Sequence, residues 1–278
     1  MDLIAQGEIK ENFIEPSFEL VNTFYTYYSG IMPPGSKTSM AYPFSRLQTD
    51  GFWHRVARPG YDPVVEYNIK SMPRLKEVLE GAKLDEDLFH LLCVRDTREQ
   101  LRALLINTYF APEVHSFLLE QAGINYEAYE YSKLLLAEPD RAYEEQERKK
   151  KKARDQGFRK TIVKIYNHRC ALCGIRTLTP EGHTIVDAAH IKPWSEGNDD
   201  RPTNGMALCR LCHWYFDEGL MSVNLQYEVL VSRSVQTEQN LPGHVLTLKD
   251  RSIFKPSETR YKPAQENFEW HRRKSFRR

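Results

Sequence analysis

No long hydrophobic run is present in this chain. The first 10 residues carry charge instead of an apolar stretch, and no segment approaches the about 18 consecutive apolar residues of a membrane span. Neither a secretory leader nor a membrane anchor is expected, so the expected location is cytoplasmic, with no membrane partner. In a reducing compartment, paired cysteines signal metal binding more often than disulfides. The sequence also lacks an internal repeat, and any low-complexity tract beyond one lysine run, which argues against a repeat array. Strong net charge is missing too, at +1 overall, but that balance hides an uneven distribution. Acidic residues lead over residues 77–99, whereas residues 148–154 read Arg-Lys-Lys-Lys-Lys-Ala-Arg and residues 271–278 read His-Arg-Arg-Lys-Ser-Phe-Arg-Arg. Basic character gathers in the second half, as a phosphate-binding surface requires. The plainer reading of these two runs is a solvated helix face and a frayed tail.

At 278 residues the chain can bury a sizeable core, and its length favours two domains. Glycine is absent from residues 126–153 and Pro139 is the single proline there, so helices broken at Pro139 are expected, the second a charged connector. These signals divide the chain into residues 1–138, a charged helical linker over 139–156, and residues 157–278. From Gly157 another helix is expected, because Phe158, Ile162, Ile165 and Tyr166 recur at helical spacing.

Four of the five cysteines fall in two Cys-x-x-Cys pairs, Cys170-Ala-Leu-Cys173 and Cys209-Arg-Leu-Cys212. Each pair can form a tight knuckle, and two knuckles supply the four thiolates of a closed tetrahedral zinc site. Such a site has no open position for water and is structural. Any chemistry then falls to the polar residues between and beside the knuckles, namely His190, Asn204 and His213. The fifth cysteine, Cys93 in Leu91-Leu92-Cys93-Val94, reads as a small buried hydrophobe.

Thr184-Ile-Val-Asp-Ala-Ala-His-Ile191 is rich in strand formers and stops before Pro193, so His190 is expected near a strand end. A polar loop with turn residues Gly197-Asn198-Asp199-Asp200 follows, and Asn204-Gly-Met-Ala-Leu208 returns to ordered structure. After the second knuckle, Trp214-Tyr-Phe216 fits a helix or turn ended by Asp217-Glu-Gly219. Two strands and a helix around a metal form a ββα-metal arrangement, and the whole chain reads as α+β.

These strings resemble the HNH endonucleases of restriction type over roughly residues 157–278, including Asp187-Ala-Ala-His-Ile-Lys-Pro-Trp194, Phe216-Asp-Glu-Gly219 and the terminal Trp270-His271-Arg272. The resemblance implies a zinc-stapled nuclease domain with His190 as general base, Asn204 as a strand-pinning residue, and His213 as a ligand of a catalytic Mg2+ or Mn2+. Phosphodiester hydrolysis independently wants an imidazole to deprotonate water near neutral pH and a hard cation against the scissile phosphate. Many HNH nucleases carry Asp or His just before the base, but here that position is Ala189. Asp187, two residues earlier on the same nominal strand face, is the expected second metal ligand; its plainer reading is a solvated strand residue. Asp217 is a weaker candidate, and His168 and His183 read as surface histidines.

In the first domain, Ala41-Tyr-Pro-Phe-Ser-Arg-Leu-Gln-Thr-Asp-Gly-Phe-Trp53 carries an Asp50-Gly51 hairpin-turn signal with a strand beginning at Phe52-Trp53. Helical spacing is expected over residues 84–89, 98–110 and 112–123. The Tyr-Pro-Phe and Asp-Gly-x-Trp pattern resembles the N-terminal domains of modification-dependent HNH restriction enzymes, including sulfur-binding domains that recognise phosphorothioate DNA. That resemblance maps an apolar sulfur pocket to Tyr42 and Pro43. A soft sulfur loses less than an oxyanion on leaving water, so an apolar pocket can prefer it. Equally, Tyr42, Pro43 and Phe44 can simply pack a hairpin on the core. Members of that family begin with a helix bearing His, a basic residue and Pro; Met1-Asp-Leu-Ile-Ala-Gln-Gly7 looks like the tail of that helix, which points to a truncated start. Arg46, together with Lys37, Arg55, Arg58, Arg102 and the run Lys149, Lys150, Lys151 and Lys152, are the expected phosphate contacts.

The resulting expectation is a DNA endonuclease of restriction type acting on double-stranded, modified DNA. Its alternatives are a non-catalytic zinc-ribbon DNA-binding protein and a non-specific HNH toxin nuclease. Cutting both strands with one site per chain points to a homodimer.

Overall fold

In a computed structural model of the chain, residues 1–62, 69–141, 151–235 and 240–277 are described. They form two compact units, Met1–Tyr126 with Thr179–His183, and Glu127–Leu178 with Thr184–Arg278. Among the described residues no helix is long and apolar enough to cross a membrane.

The first unit opens with the short helix α1 (Asp2–Ala5) and then α2 (Phe18–Ile31), which starts where the Ser17 side chain accepts the Leu20 N–H at 3.2 Å. Helix α3 (Ala41–Arg46) leads through a tight turn, Leu47–Asp50, into strand β1 (Trp53–Ala57). Helix α4 (Met72–Val78) runs directly into strand β2 (Leu79–Leu84), which pairs antiparallel with β1 in the register Trp53 to Leu84. Helices α5 (Glu86–Cys93), α6 (Arg95–Tyr109) and α7 (Pro112–Ala137) follow. The core of this unit gathers Val21, Phe44, Trp53, Met72, Leu75 and Leu79 between the helices and the two-stranded sheet.

Two expectations fail in this unit. Asp50-Gly51 is not a hairpin turn: Gly51, at φ +86°, ends the helical segment that starts at Ala41 and sends the chain into β1. A left-handed glycine closes a helix as readily as it turns a hairpin, and the flanking pattern decides between them. Here Ala41, Phe44 and Ser45 are buried, a helical spacing, and Pro43 lies in the first turn, where its missing N–H loses no helix bond. Cys93 is exposed instead of buried, because α5 turns Phe89 and Leu92 into the core and Cys93, the residue after Leu92, away from it.

The second unit contains the C-terminal part of α7 and helix α8 (Lys151–Ile165), which begins six residues before Gly157. Helix α8 ends at Asn167 and His168, both left-handed at φ +49° and +59°, and the His168 N–H donates back to the Val163 carbonyl at 3.0 Å. The chain is thereby turned toward the first knuckle. Strand β3 (Val186–His190) pairs antiparallel with β4 (Gly205–Cys209), with His190 opposite Gly205 and Val186 opposite Cys209. Between them lies a loop with the short helix α9 (Trp194–Gly197). Strand β4 runs into α10 (Arg210–Asp217), whose first turn carries Cys212. A hairpin of β5 (Met221–Val223) and β6 (Val229–Val231), and helix α11 (Gln265–Lys274), complete the unit. Phe158 and Ile162 of α8 pack on β3 and β4 in a core shared with Met206, Leu208, Phe216 and Phe268. A Cβ at Gly205 would overlap the Ile162 side chain, so glycine there lets the strand lie close under the helix.

Candidate active site and zinc cluster

The first knuckle is built by the Gly174 N–H, which donates to the Cys170 carbonyl at 2.9 Å, with Gly174 at φ +79°. The second is the junction of β4 and α10. The sulfurs of Cys170, Cys173, Cys209 and Cys212 all lie within 4.8 Å of one another, and Cys173 Sγ is 3.7 Å from Cys209 Sγ. Sulfurs about 2.3 Å from a tetrahedral zinc stand about 3.8 Å apart. The donor set and its spacing therefore fit zinc, and the 3.7 Å contact is better read as two ligands of one ion than as a thiol hydrogen bond. Without a cation, hydrogen bonding among the thiols holds Cys170 down at about 7 and lowers Cys209, while it raises Cys173 and Cys212. A dication would relieve that competition by favouring the thiolate at all four positions.

His190 sits at the end of β3 with 22% of its side chain exposed. Its ring stacks on Phe158 at 3.9 Å and 6°, and its Nε2 lies 2.7 Å from Asp200 Oδ1. The Asp200 side chain is 1% exposed, and its other oxygen accepts from Tyr131 Oη–H at 3.0 Å and lies 3.4 Å from Arg154 Nε. The Arg154 guanidinium in turn lies 3.7 Å over the ring of Trp194. Fully buried Asn204 ties this region together. Its Oδ1 accepts the Lys192 N–H at 2.9 Å, and its Nδ2 donates to the carbonyls of Lys192 at 3.0 Å and Asp199 at 2.9 Å. One amide thus grips both the chain two residues beyond His190 and the peptide that carries Asp200.

His213, on α10, is half-buried, with Nε2 3.4 Å from Asp217 Oδ2 one helical turn on. Asp187 is exposed on β3 and paired with Arg159 at 2.7 Å, whereas Ala189 is 1% exposed. Among the described residues, the four cysteines are the one group of three or more His, Cys, Asp or Glu whose ligand atoms converge. His183 is exposed. His271, in contrast, is buried and stacked on Phe216 at 3.8 Å. Its Nε2–H donates to the Phe216 carbonyl and its Nδ1 accepts from Ser222, while burial holds it neutral, down at about 4.

In the first unit Tyr42 and Pro43 are adjacent on α3 and face different ways. Pro43 lines an apolar cavity of about 430 Å³ with Phe44, Leu47 and Trp53, whereas Tyr42 is 40% exposed beneath the Arg46 guanidinium at 4.9 Å. Arg55 and Arg102 are buried, Arg55 against Gln48 and Arg102 against Asp2 at 2.8 Å, and so are not free for phosphate. Lys37 and Arg58 are exposed, with Arg58 Nε donating to the Lys76 carbonyl. Lys151 and Lys152 are exposed at the start of α8; Lys149 and Lys150 lie outside the described residues.

Asp200 escaped the sequence reading. It stands in a run of turn-forming residues, and in the sequence only its place ten residues after a strand-end histidine distinguishes it.

The frame of two antiparallel strands leading into a helix, pinned by the cysteine cluster, is that of an HNH endonuclease domain, and residues 170–224 match that family. Residues 31–127 match the ScoMcrA-like DNA sulfur-binding domain, so this chain carries a DNA-recognition domain ahead of the HNH domain. Among solved structures, the "Modification dependent TagI restriction endonuclease" is similar at 21% identity with a TM-score of 0.32, over 42% of this chain and 36% of that one. No curated protein matches the chain.

Proposed function

We propose that this chain is a metal-dependent DNA endonuclease of restriction type, directed to modified duplex DNA through its first domain, with phosphorothioate as the modification its sulfur-binding domain favours. The observation that carries the reading is His190, a partly exposed imidazole held at a strand end by ring stacking while Asn204 locks the backbone beyond it. In this reading His190 takes a proton from water, the water oxygen bonds to phosphorus, and the bond to the leaving 3′ oxygen breaks, that oxygen taking its proton from solvent. His213 and Asp187 are the proposed protein ligands of the divalent cation. When bound, that cation supplies a Lewis acid against the phosphate and the leaving oxygen. Tyr42, Pro43 and Arg46 are proposed at the modified site, and Lys149, Lys150, Lys151 and Lys152 at the DNA backbone. Residues 1–138 would recognise, residues 139–156 connect and residues 157–278 cut, in the cytoplasm, as a homodimer when both strands are cleaved.

The test is cleavage of plain, methylated, hydroxymethylated and phosphorothioated duplexes with Mg2+ or Mn2+, beside His190→Ala. Cutting confined to a modified duplex and abolished in the variant is the expected result. Equal cutting of all duplexes would leave a non-specific nuclease. Wild-type rates in the variant would remove His190 as the base.

A further inference from the structure

We infer that Asp200 is the positioning residue of the nuclease site, holding His190 as the Nε2–H tautomer so that Nδ1 is the nitrogen that accepts the proton of water. The inference rests on the reading of His190 as the base and adds to it which nitrogen acts and what sets it.

An ionised carboxylate only accepts hydrogen bonds, and Asp200, with 1% of its side chain exposed, must find its donors within the protein. Tyr131 Oη–H at 3.0 Å and His190 Nε2 at 2.7 Å meet its oxygens, and the Arg154 guanidinium, whose Nε–H donates to Asp155 at 3.2 Å, lies 3.4 Å away as an ion pair. Tyrosine and arginine approach one oxygen, Oδ2. The other, Oδ1, is left to the imidazole, which satisfies it by carrying its proton on Nε2. Neutral imidazole has one N–H, so the lone pair falls to Nδ1, which has no hydrogen-bond partner among the described residues. Stacking on Phe158 at 3.9 Å restricts the ring flip that would put Cε1 in place of Nε2 beside Asp200. When water's proton moves to Nδ1, the proton on Nε2 stays where it is, and the imidazolium forms beside a buried carboxylate. The same carboxylate thus selects the tautomer before the step and stabilises the charge after it. Asn204 supports the arrangement from the backbone, since it grips the Asp199 carbonyl next to Asp200.

The test uses the full chain with zinc bound, labelled with 15N-histidine, and His190 assigned by its loss in His190→Gln. NMR of the wild type should show the Nε2–H tautomer without any substrate or catalytic cation present. Asp200→Asn should shift His190 toward the Nδ1–H form. Its kcat on a duplex the wild type cuts should fall on the order of 10²- to 10⁴-fold, with DNA affinity, zinc content and melting temperature near wild type. A wild-type His190 in the Nδ1–H form would overturn the inference whether or not the variant folds. So would an Asp200→Asn enzyme within about threefold of wild type in kcat. The tautomer is read without cleavage, so failure of every duplex to be cut would sink the proposed function and leave this measurement standing on its own.

Discussion

Each unit buries one carboxylate among a tyrosine, an arginine and a fourth polar side chain, and the fourth partner makes the difference. In the first unit Asp2 accepts from Tyr27 Oη–H at 2.7 Å and from Asn125 Nδ2–H at 2.8 Å, and pairs with Arg102 at 2.8 Å. In the second, Asp200 takes Tyr131, Arg154 and His190. The Asp2 cluster closes on itself: Asn125 does not titrate, and burial raises the Tyr27 hydroxyl far above its ordinary range. The Asp200 cluster ends in an imidazole with 22% of its side chain exposed. A buried ionic network is thus closed or open according to whether one member reaches the surface. The difference lies in one side chain, not in the amount of buried charge.

The largest expected effect separates the units by metal. Chelating zinc from the full chain should unfold the second unit and spare the first, because a four-thiolate zinc site contributes on the order of 10 kcal/mol to the fold that holds it. Hydrogen exchange should lose protection across residues 184–235 and keep it across β1, β2 and α4; uniform loss would show that the units do not fold separately. The converse experiment is Asp2→Ala. It leaves the buried Arg102 charge with only the part-exposed Glu99 at 3.0 Å and strips Tyr27 and Asn125 of their acceptor, at a cost of about 3 kcal/mol. Denaturant unfolding of the first unit should shift by that amount, and a shift below about 1 kcal/mol would mean that solvent reaches Arg102.

Acid should act on the second unit through His271. This histidine stays neutral in the fold, down at about 4, so the unfolded chain takes up its proton first as pH falls. Stability from this group is complete above about 6.5 and is lost between there and about 4, a change of roughly 3 kcal/mol. Unfolding midpoints compared at neutral and acid pH should show this loss in wild type but not in His271→Gln. Equal loss in both would place the acid sensitivity elsewhere. The smallest effect concerns the exposed lysines of α8. Lys151→Ala with Lys152→Ala should lower the slope of log affinity against log salt by about 2 if both neutralise phosphates. An unchanged slope would remove them from the DNA surface.

How much of this could be read from the chain depended on whether a property was local. The cysteine pairs are local motifs, and their sulfurs converge within 4.8 Å, as two knuckles that could hold one ion would. The strand ending at His190 and the return at Gly205 were legible from strand formers and proline. The resemblance pointed to Asn204, but not to its hydrogen bond with the Asp199 carbonyl. Asp50-Gly51 misled because the same dipeptide chemistry serves a hairpin and a helix end, and the choice rested on which face of residues 41–46 the core would cover. Tyr42 and Pro43, neighbours in sequence, diverge because successive helical residues point about 100° apart. Asp187 and Ala189 share a nominal strand face, but α8 covers Ala189 and offers Arg159 to Asp187.

By itself the sequence determined the α+β class, the four cysteines that converge, the HNH character of the second domain and the likeness of the first to a DNA sulfur-binding domain, since each is carried by residue types at short fixed spacings. Only the tertiary structure decided which carboxylate meets His190. Tyr131 and Arg154 stand 69 and 46 positions from Asp200 in the chain, and no local spacing encodes their meeting. Packing of α8 on β3 and β4 brings Arg154 beside Asp200, and Tyr131 of α7 joins them, so that a turn aspartate buried in the core becomes the partner of a partly exposed histidine.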